Sequence, residues 1–113
     1  MQKQVIVYVD HNGKKPFREW LDNLQDSSGR QRIIQRILRL EQGYYGDRKS
    51  VGEGVHELRM FFGPGYRAYF GEDGKNIVIL LCGGDKDSQR NDIKQAKAYW
   101  KEYKERDKLP NCQ

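Results

Sequence analysis

Apolar residues change their period several times along the chain, and each change marks an element. The opening run Val5-Ile6-Val7-Tyr8-Val9 is β-branched and aromatic, and it runs into the turn composition Asp10-His11-Asn12-Gly13, which predicts a strand. From Pro16, a residue suited to a first helical turn, Phe17, Trp20, Leu21 and Leu24 recur on one face of a short helix. Ser27 or Ser28 can cap a longer second helix, with Ile33, Ile34, Ile37 and Leu38 as its buried stripe, Leu40 at the border and Gly43 as the stop. The two helices form a hairpin.

Residues 44–54 mix Gly, Asp, Lys and Ser and read as a loop. Residues 55–61 then alternate at period two, the Phe62-Gly63-Pro64-Gly65 turn leads into residues 66–70, and Glu72-Asp73-Gly74-Lys75 leads into residues 76–82. Three strands with such short connections predict an antiparallel meander. After Gly83-Gly84-Asp85-Lys86, a cap at Asp87 or Ser88 begins a last helix with Ile93, Ala96, Trp100 and Tyr103 on one face and Lys94, Lys97, Lys101 and Lys104 on the rest. The order β-α-α-β-β-β-α predicts an α+β fold: an antiparallel sheet with the helices, the hairpin among them, packed on one face. Residues 1–106 form the single domain, and 107–113 are expected to fray.

A chain of 113 residues is one domain's worth, and 12% aromatic residues make a small core feasible although only 36% of positions are hydrophobic. Lys and Arg outnumber Asp and Glu by 21 to 16, a net charge of +5, which favours a polyanionic partner such as nucleic acid, an acidic membrane surface or an acidic protein. The N-terminal residues have no basic-then-apolar signal pattern, and the apolar run at 77–82 is too short to span a bilayer, so a soluble, cytoplasmic protein is expected. Cys82 and Cys112 have neither disulfide-framework nor metal-ligand spacing and read as free thiols.

Candidate chemistry centres on Arg59 and Arg67, which flank the first turn of the meander. With an odd number of connecting residues they face each other on one side of the sheet, an arrangement costly for like charges unless an anionic ligand lies between them. With an even number they part. From spacing alone, two exposed arginines paired with Glu57 or other carboxylates is the better reading. Gly83-Gly84-Asp85-Lys86 is not a Walker loop, but its small backbone can approach a phosphate, and Lys86 at the same sheet end would complete a cationic pocket suited to a pentavalent phosphate. His56 shares a strand face with Leu58 and Met60 and reads as a partly buried core histidine rather than a general base, and His11 as a solvated one. No His/Asp/Glu cluster has the spacing of a metal site, so a mechanism without metal or cofactor is expected. Among the tyrosines Tyr44, Tyr45, Tyr66 and Tyr69, the last shares strand parity with Arg67 and is the best candidate for stacking on a base, although aromatics in small sheets more often belong to core or rim.

Read in order, Pro16-Phe17-x-x-Trp20-Leu21, His56-Glu57-Leu58-Arg59, Gly65-Tyr66-Arg67-Ala68-Tyr69-Phe70 and Leu80-Leu81-Cys82-Gly83-Gly84-Asp85-Lys86-x-x-Gln89-x-x-Asp92-Ile93 resemble the phage-derived Gp49-like, HigB-type branch of the RelE/ParE toxins, the addiction module killer proteins. The resemblance extends over nearly the whole chain. It implies a RelE-like fold and a toxin of a type II toxin-antitoxin system, partnered by a helix-turn-helix antitoxin of the HigA type. It further implies a ribosome-dependent mRNA endoribonuclease, or mRNA interferase, that docks on mRNA and the ribosome and inhibits translation. Arg59, Arg67 and Lys86 are then the catalytic candidates, and Tyr69, Arg36 and Arg39 the RNA-binding ones. The histidine that some relatives carry near the C-terminus has no clear counterpart. The same superfamily implies two alternatives, a ParE-like poison of DNA gyrase and a non-catalytic RNA- or protein-binding module.

Overall fold

In a computed structural model describing residues 2–107, the chain runs β1 (Gln4–Val7), α1 (Pro16–Asn23), α2 (Ser27–Glu41), β2 (Arg48–Gly52), β3 (Val55–Arg59), β4 (Arg67–Asp73), β5 (Ile77–Gly84) and α3 (Gln89–Asp107). This is an α+β arrangement around one five-stranded sheet of order β1-β5-β4-β3-β2. The expected meander is present as β3, β4 and β5, antiparallel throughout.

Three features of the sheet differ from expectation. The sheet is mixed rather than antiparallel, because β1 lies parallel to β5 from Gln4↔Ile77 to Val7↔Leu80. That pairing joins residues far apart in sequence, so no turn chemistry announces it. Secondly, the expected 44–54 loop contains β2, which pairs antiparallel with β3 and carries a register shift between Ser50 and Gly52. Its Arg48, Lys49 and Ser50 are exposed, as suits an edge strand that resists further pairing, and this polar composition hides it from a search for apolar alternation. Thirdly, the helices are not on one face. Val78, Leu80, Ala68, Phe70 and Leu58 meet Phe17 and Leu21 of α1 and Ile33 and Leu40 of α2. Ile79, Leu81, Tyr69 and Val55 instead meet Ala96 and Trp100 of α3. Covered on both sides, β5 can be apolar at successive positions.

Each tryptophan seats on a sheet glycine, Trp20 of α1 against Gly83 and Trp100 of α3 against Gly71. A Cβ at Gly71 would lie 2.5 Å from Trp100 Cδ2, so the ring occupies the space of the missing side chain. Asp26, rather than Ser27 or Ser28, caps α2: its carboxylate accepts the Gly29 N–H at 2.9 Å, and that bond holds the Asp26 carboxyl below its usual range. Ile33 and Leu40 are fully buried, but Ile34 (39% exposed) and Leu38 (51%) flank the stripe they were expected to join. The helix is turned so that its 33-37-40 line faces the sheet. Asp107, expected in the tail, closes α3, while 108–113, with Cys112, lie outside the described residues. Cys82 is a buried free thiol whose pKa burial pushes up to about 12. Among the described residues no helix is long and apolar enough to cross a membrane.

Candidate functional site

Strand register decides the central question. Leu58↔Ala68 and Arg59↔Arg67 are directly opposed, so the connection 60–66 has an odd number of residues and both arginines share the face of the sheet that α3 covers further along. The turn is held by Met60 N–H to Tyr66 O at 3.0 Å and Gly65 N–H to Phe62 O at 3.2 Å. Gly65 has φ +78°, and a Cβ there would lie 3.2 Å from Arg67 Nη1 and 3.4 Å from Lys86 Cβ. Glycine thus supplies both the left-handed turn and the opening between two cations. Arg67 also pairs with Gly84 at the end of β5, and the Lys86 N–H donates to Pro64 O at 3.3 Å, drawing the strand-to-helix loop onto the turn. Arg59, Arg67 and Lys86 converge on a cleft of about 370 Å³ walled by Phe61, Phe62 and Gly63.

Carboxylates offset part of this charge. Below Arg67, whose side chain is 13% exposed, lies Glu57 at 0%, with Arg67 Nε 3.5 Å from Glu57 Oε2. The same Oε2 accepts from Tyr69 Oη at 3.1 Å and Gln89 Nε2 at 2.7 Å, and Arg67 Nη1 donates to Gly65 O at 2.8 Å. Among the described residues, Glu57 Oε1 and Arg67 Nε have no hydrogen-bond partner. Arg59 pairs with Asp47 at the rim, 3.1 Å from Nε to Oδ2. Lys86 is exposed and, among the described residues, in no ion pair, so it supplies the cleft's uncompensated charge. Among the described residues, no carboxylate or imidazole lines the cleft.

The proposed RNA contacts fare less uniformly than the cationic triad. Tyr69 cannot stack on a base: it is 0% exposed, and burial together with the Glu57 carboxylate pushes its hydroxyl pKa up strongly. Parity placed it on the correct face, but that face is covered by α3 at Tyr69. Arg36 is spent within the fold, donating to Arg59 O (2.7 Å), Tyr45 O (3.0 Å) and Asp47 O (3.3 Å). Its guanidinium braces the strand that presents Arg59, and burial draws its pKa down. Arg39 remains exposed and, with Arg32, Gln35, Arg36 and Phe62, lines a second cleft of about 230 Å³, so Arg36 forms part of that wall while its guanidinium is bonded within the fold, and Phe62 is a wall common to both clefts. His56 is the core histidine expected, stacked on Phe70 at 5.2 Å between centroids, with burial lowering its pKa.

Phe61, 78% exposed at the mouth of the first cleft, was not singled out from the sequence. A partial signal was present: Met60, Phe61 and Phe62 are consecutive just before a Gly-Pro-Gly turn, where the chain leaves the sheet. Among the described residues no group of three or more His, Cys, Asp or Glu could hold a metal ion.

Fold and site together define a small α+β domain with a five-stranded mixed sheet and a cationic cleft at one sheet end. No family model matches the sequence. The chain is 49% identical over 81 residues to an uncharacterized protein of Haemophilus influenzae (strain ATCC 51907 / DSM 11121 / KW20 / Rd), a stretch covering 72% of this chain and 82% of that protein. The chain belongs to the family of that Haemophilus protein.

Proposed function

We propose that the chain is a RelE/ParE-type toxin of the HigB-like branch, acting as a metal-independent, ribosome-dependent mRNA endoribonuclease restrained by a helix-turn-helix antitoxin. The observation that carries this reading is the convergence of Arg59, Arg67 and Lys86, from three separate segments, on one open cleft. Directly opposed arginines repel each other, and Glu57 and Asp47 offset that repulsion without closing the cleft, so a phosphate is the ligand that fits. The element order, with a helical hairpin on one sheet face and the last helix on the other, is compatible with a RelE-like topology.

In this reaction the 2′-oxygen of a ribonucleotide forms a bond to the adjacent phosphorus and the P–O5′ bond breaks, leaving a 2′,3′-cyclic phosphate and a 5′-hydroxyl. Arg59 and Arg67 stabilise the charge that develops on the phosphorane oxygens, and Lys86 donates a proton to the departing 5′-oxygen. Catalysis in this reading rests on charge stabilisation by the three cations that line the cleft. Arg39 and Arg32, on the far side of Phe62, extend the phosphate-attracting surface.

Primer extension on mRNA from cells expressing the chain without antitoxin tests the reading, with plasmid supercoiling by gyrase assayed in parallel. New 5′ ends that vanish with Lys86→Ala are expected. Intact mRNA with blocked supercoiling would assign the chain to gyrase poisoning, and unimpaired growth with abundant soluble protein would reject a toxin of either kind.

A further inference from the structure

We infer that Phe61 is a nucleobase platform, on which an unpaired base stacks while the adjoining phosphate occupies the cleft; the inference rests on the nucleic-acid reading of that cleft. Phe61 follows the last residue of β3 and is 78% exposed, the most open large hydrophobic side chain among the described residues. A phenyl ring so exposed contributes little to the core. It stands among cations: Arg59 approaches it with its guanidinium carbon 5.7 Å from the ring centroid, and Arg67 and Lys86 share the cleft wall with it. Its neighbour Phe62 is half-buried, packed against Tyr66 at 5.8 Å between centroids and covered by Arg32 at 4.1 Å, so Phe62 anchors the turn while Phe61 projects from it.

Aromatic rings beside phosphate-binding cations are the recurrent means of holding single strands, because every base offers a π-face and the backbone supplies the charge. The turn geometry adds rigidity. Gly63 (φ +59°) and Gly65 (φ +78°) set the chain direction, and the Met60–Tyr66 backbone bond closes the loop, so the ring is presented without the entropy cost of ordering a mobile segment. The buried tyrosines, Tyr66 at 4% and Tyr69 at 0%, cannot serve this purpose. An unpaired base, rather than a duplex, is the ligand that suits a single projecting ring.

The test compares two hexamers of equal length in low salt, one a 2′-O-methyl oligouridine, which binds but cannot attack its own phosphate, and one with the same backbone and no bases. Binding is read by fluorescence anisotropy for the wild type, Phe61→Ala and Phe61→Trp. Phe61→Ala is expected to weaken the base-bearing strand by about 5- to 150-fold and the abasic strand by less than about twofold. Phe61→Trp should bind the base-bearing strand at least as well as the wild type, with its indole fluorescence quenched. Equal losses for both strands, or none for either, overturn the platform while leaving the phosphate cleft standing. If the wild type binds neither strand, the platform is overturned, while the nuclease reading is decided by the primer-extension result. Unchanged RNA binding alongside weakened association with a protein partner would reassign Phe61 to a protein interface.

Discussion

Arg67→Ala is the obvious probe of the proposed nuclease, and the structure indicates that it would be misread. A strand arginine judged exposed from its sequence position should be removable at little cost, but the Arg67 side chain is 13% exposed and sits on a carboxylate with no exposure at all. Deleting it leaves Glu57 buried with Tyr69 and Gln89 as donors to one oxygen and none to the other. Breaking a buried pair from one side costs about 3–5 kcal/mol. For a domain of this size that corresponds to a fall in Tm of about 12–20 °C. Glu57→Gln/Arg67→Ala, which removes both charges, should recover part of the loss. Urea and thermal unfolding of the wild type, both single variants and the double variant give the cycle, and a coupling of at least about 2 kcal/mol is expected. An Arg67→Ala protein within about 1 kcal/mol of the wild type, or additive single effects, would refute the claim that Glu57 depends on Arg67. Loss of toxicity in Arg67→Ala alone is therefore uninformative about catalysis, whereas the double variant separates folding from chemistry.

The exposed Lys86 provides the clean test: Lys86→Ala should change stability by no more than about 0.5 kcal/mol, lower RNA cleavage by roughly a hundredfold, and reduce the slope of log affinity against log salt by about 0.7; an unchanged slope removes Lys86 from phosphate contact. Tyr69→Phe should cost about 1–3 kcal/mol, through the lost donor to buried Glu57, with RNA affinity unchanged; an RNA-binding defect at equal stability would return Tyr69 to the site. Gly83→Ala should destabilise by about 1–3 kcal/mol because its Cβ meets the Trp20 ring, and a neutral result in thermal unfolding would mean that the helical hairpin shifts freely. His56 has its folded pKa lowered by burial, so the unfolded chain takes up the proton first as pH falls through the ordinary value of 6.5. Its contribution is thus present at neutral pH and is lost as pH falls from that value towards the folded one; His56→Gln should flatten stability against pH between about 7 and 5, and an unaltered profile would rule His56 out as the cause.

Local chemistry carried much of the architecture. The 3.6 period of α1 and of the apolar line in α3, the period-two run of β3 and the glycine turns are properties of short segments, and they placed these elements within a few residues. The triad was legible in part: Arg59 and Arg67 flank a turn, and Lys86 ends the last strand's loop. Even the competing reading, arginines paired with carboxylates, describes a real feature, since Glu57 and Asp47 do pair with them. The two arginines are opposed on one face, and each also has its own carboxylate.

Other features arose only when distant segments met. The parity of the connection between β3 and β4 rests on one residue more or less in a turn, which composition does not count, and that parity decides whether Arg59 and Arg67 share a cleft. β1 joins β5 through residues more than seventy positions apart, and α3 takes the opposite sheet face from the hairpin because that face was left bare. Tyr69, Arg36 and Phe61 show the same division at single residues. Period two gives the face of a strand but not what covers it, so Tyr69 is sealed by α3 and Phe61, beyond the end of β3, is open. Arg36 lies on the polar side of its helix, yet it is consumed by three carbonyls of chain that folds back beside it. Hydrophobic period is set by each residue's immediate neighbours, whereas burial and charge pairing depend on every segment that folds against them.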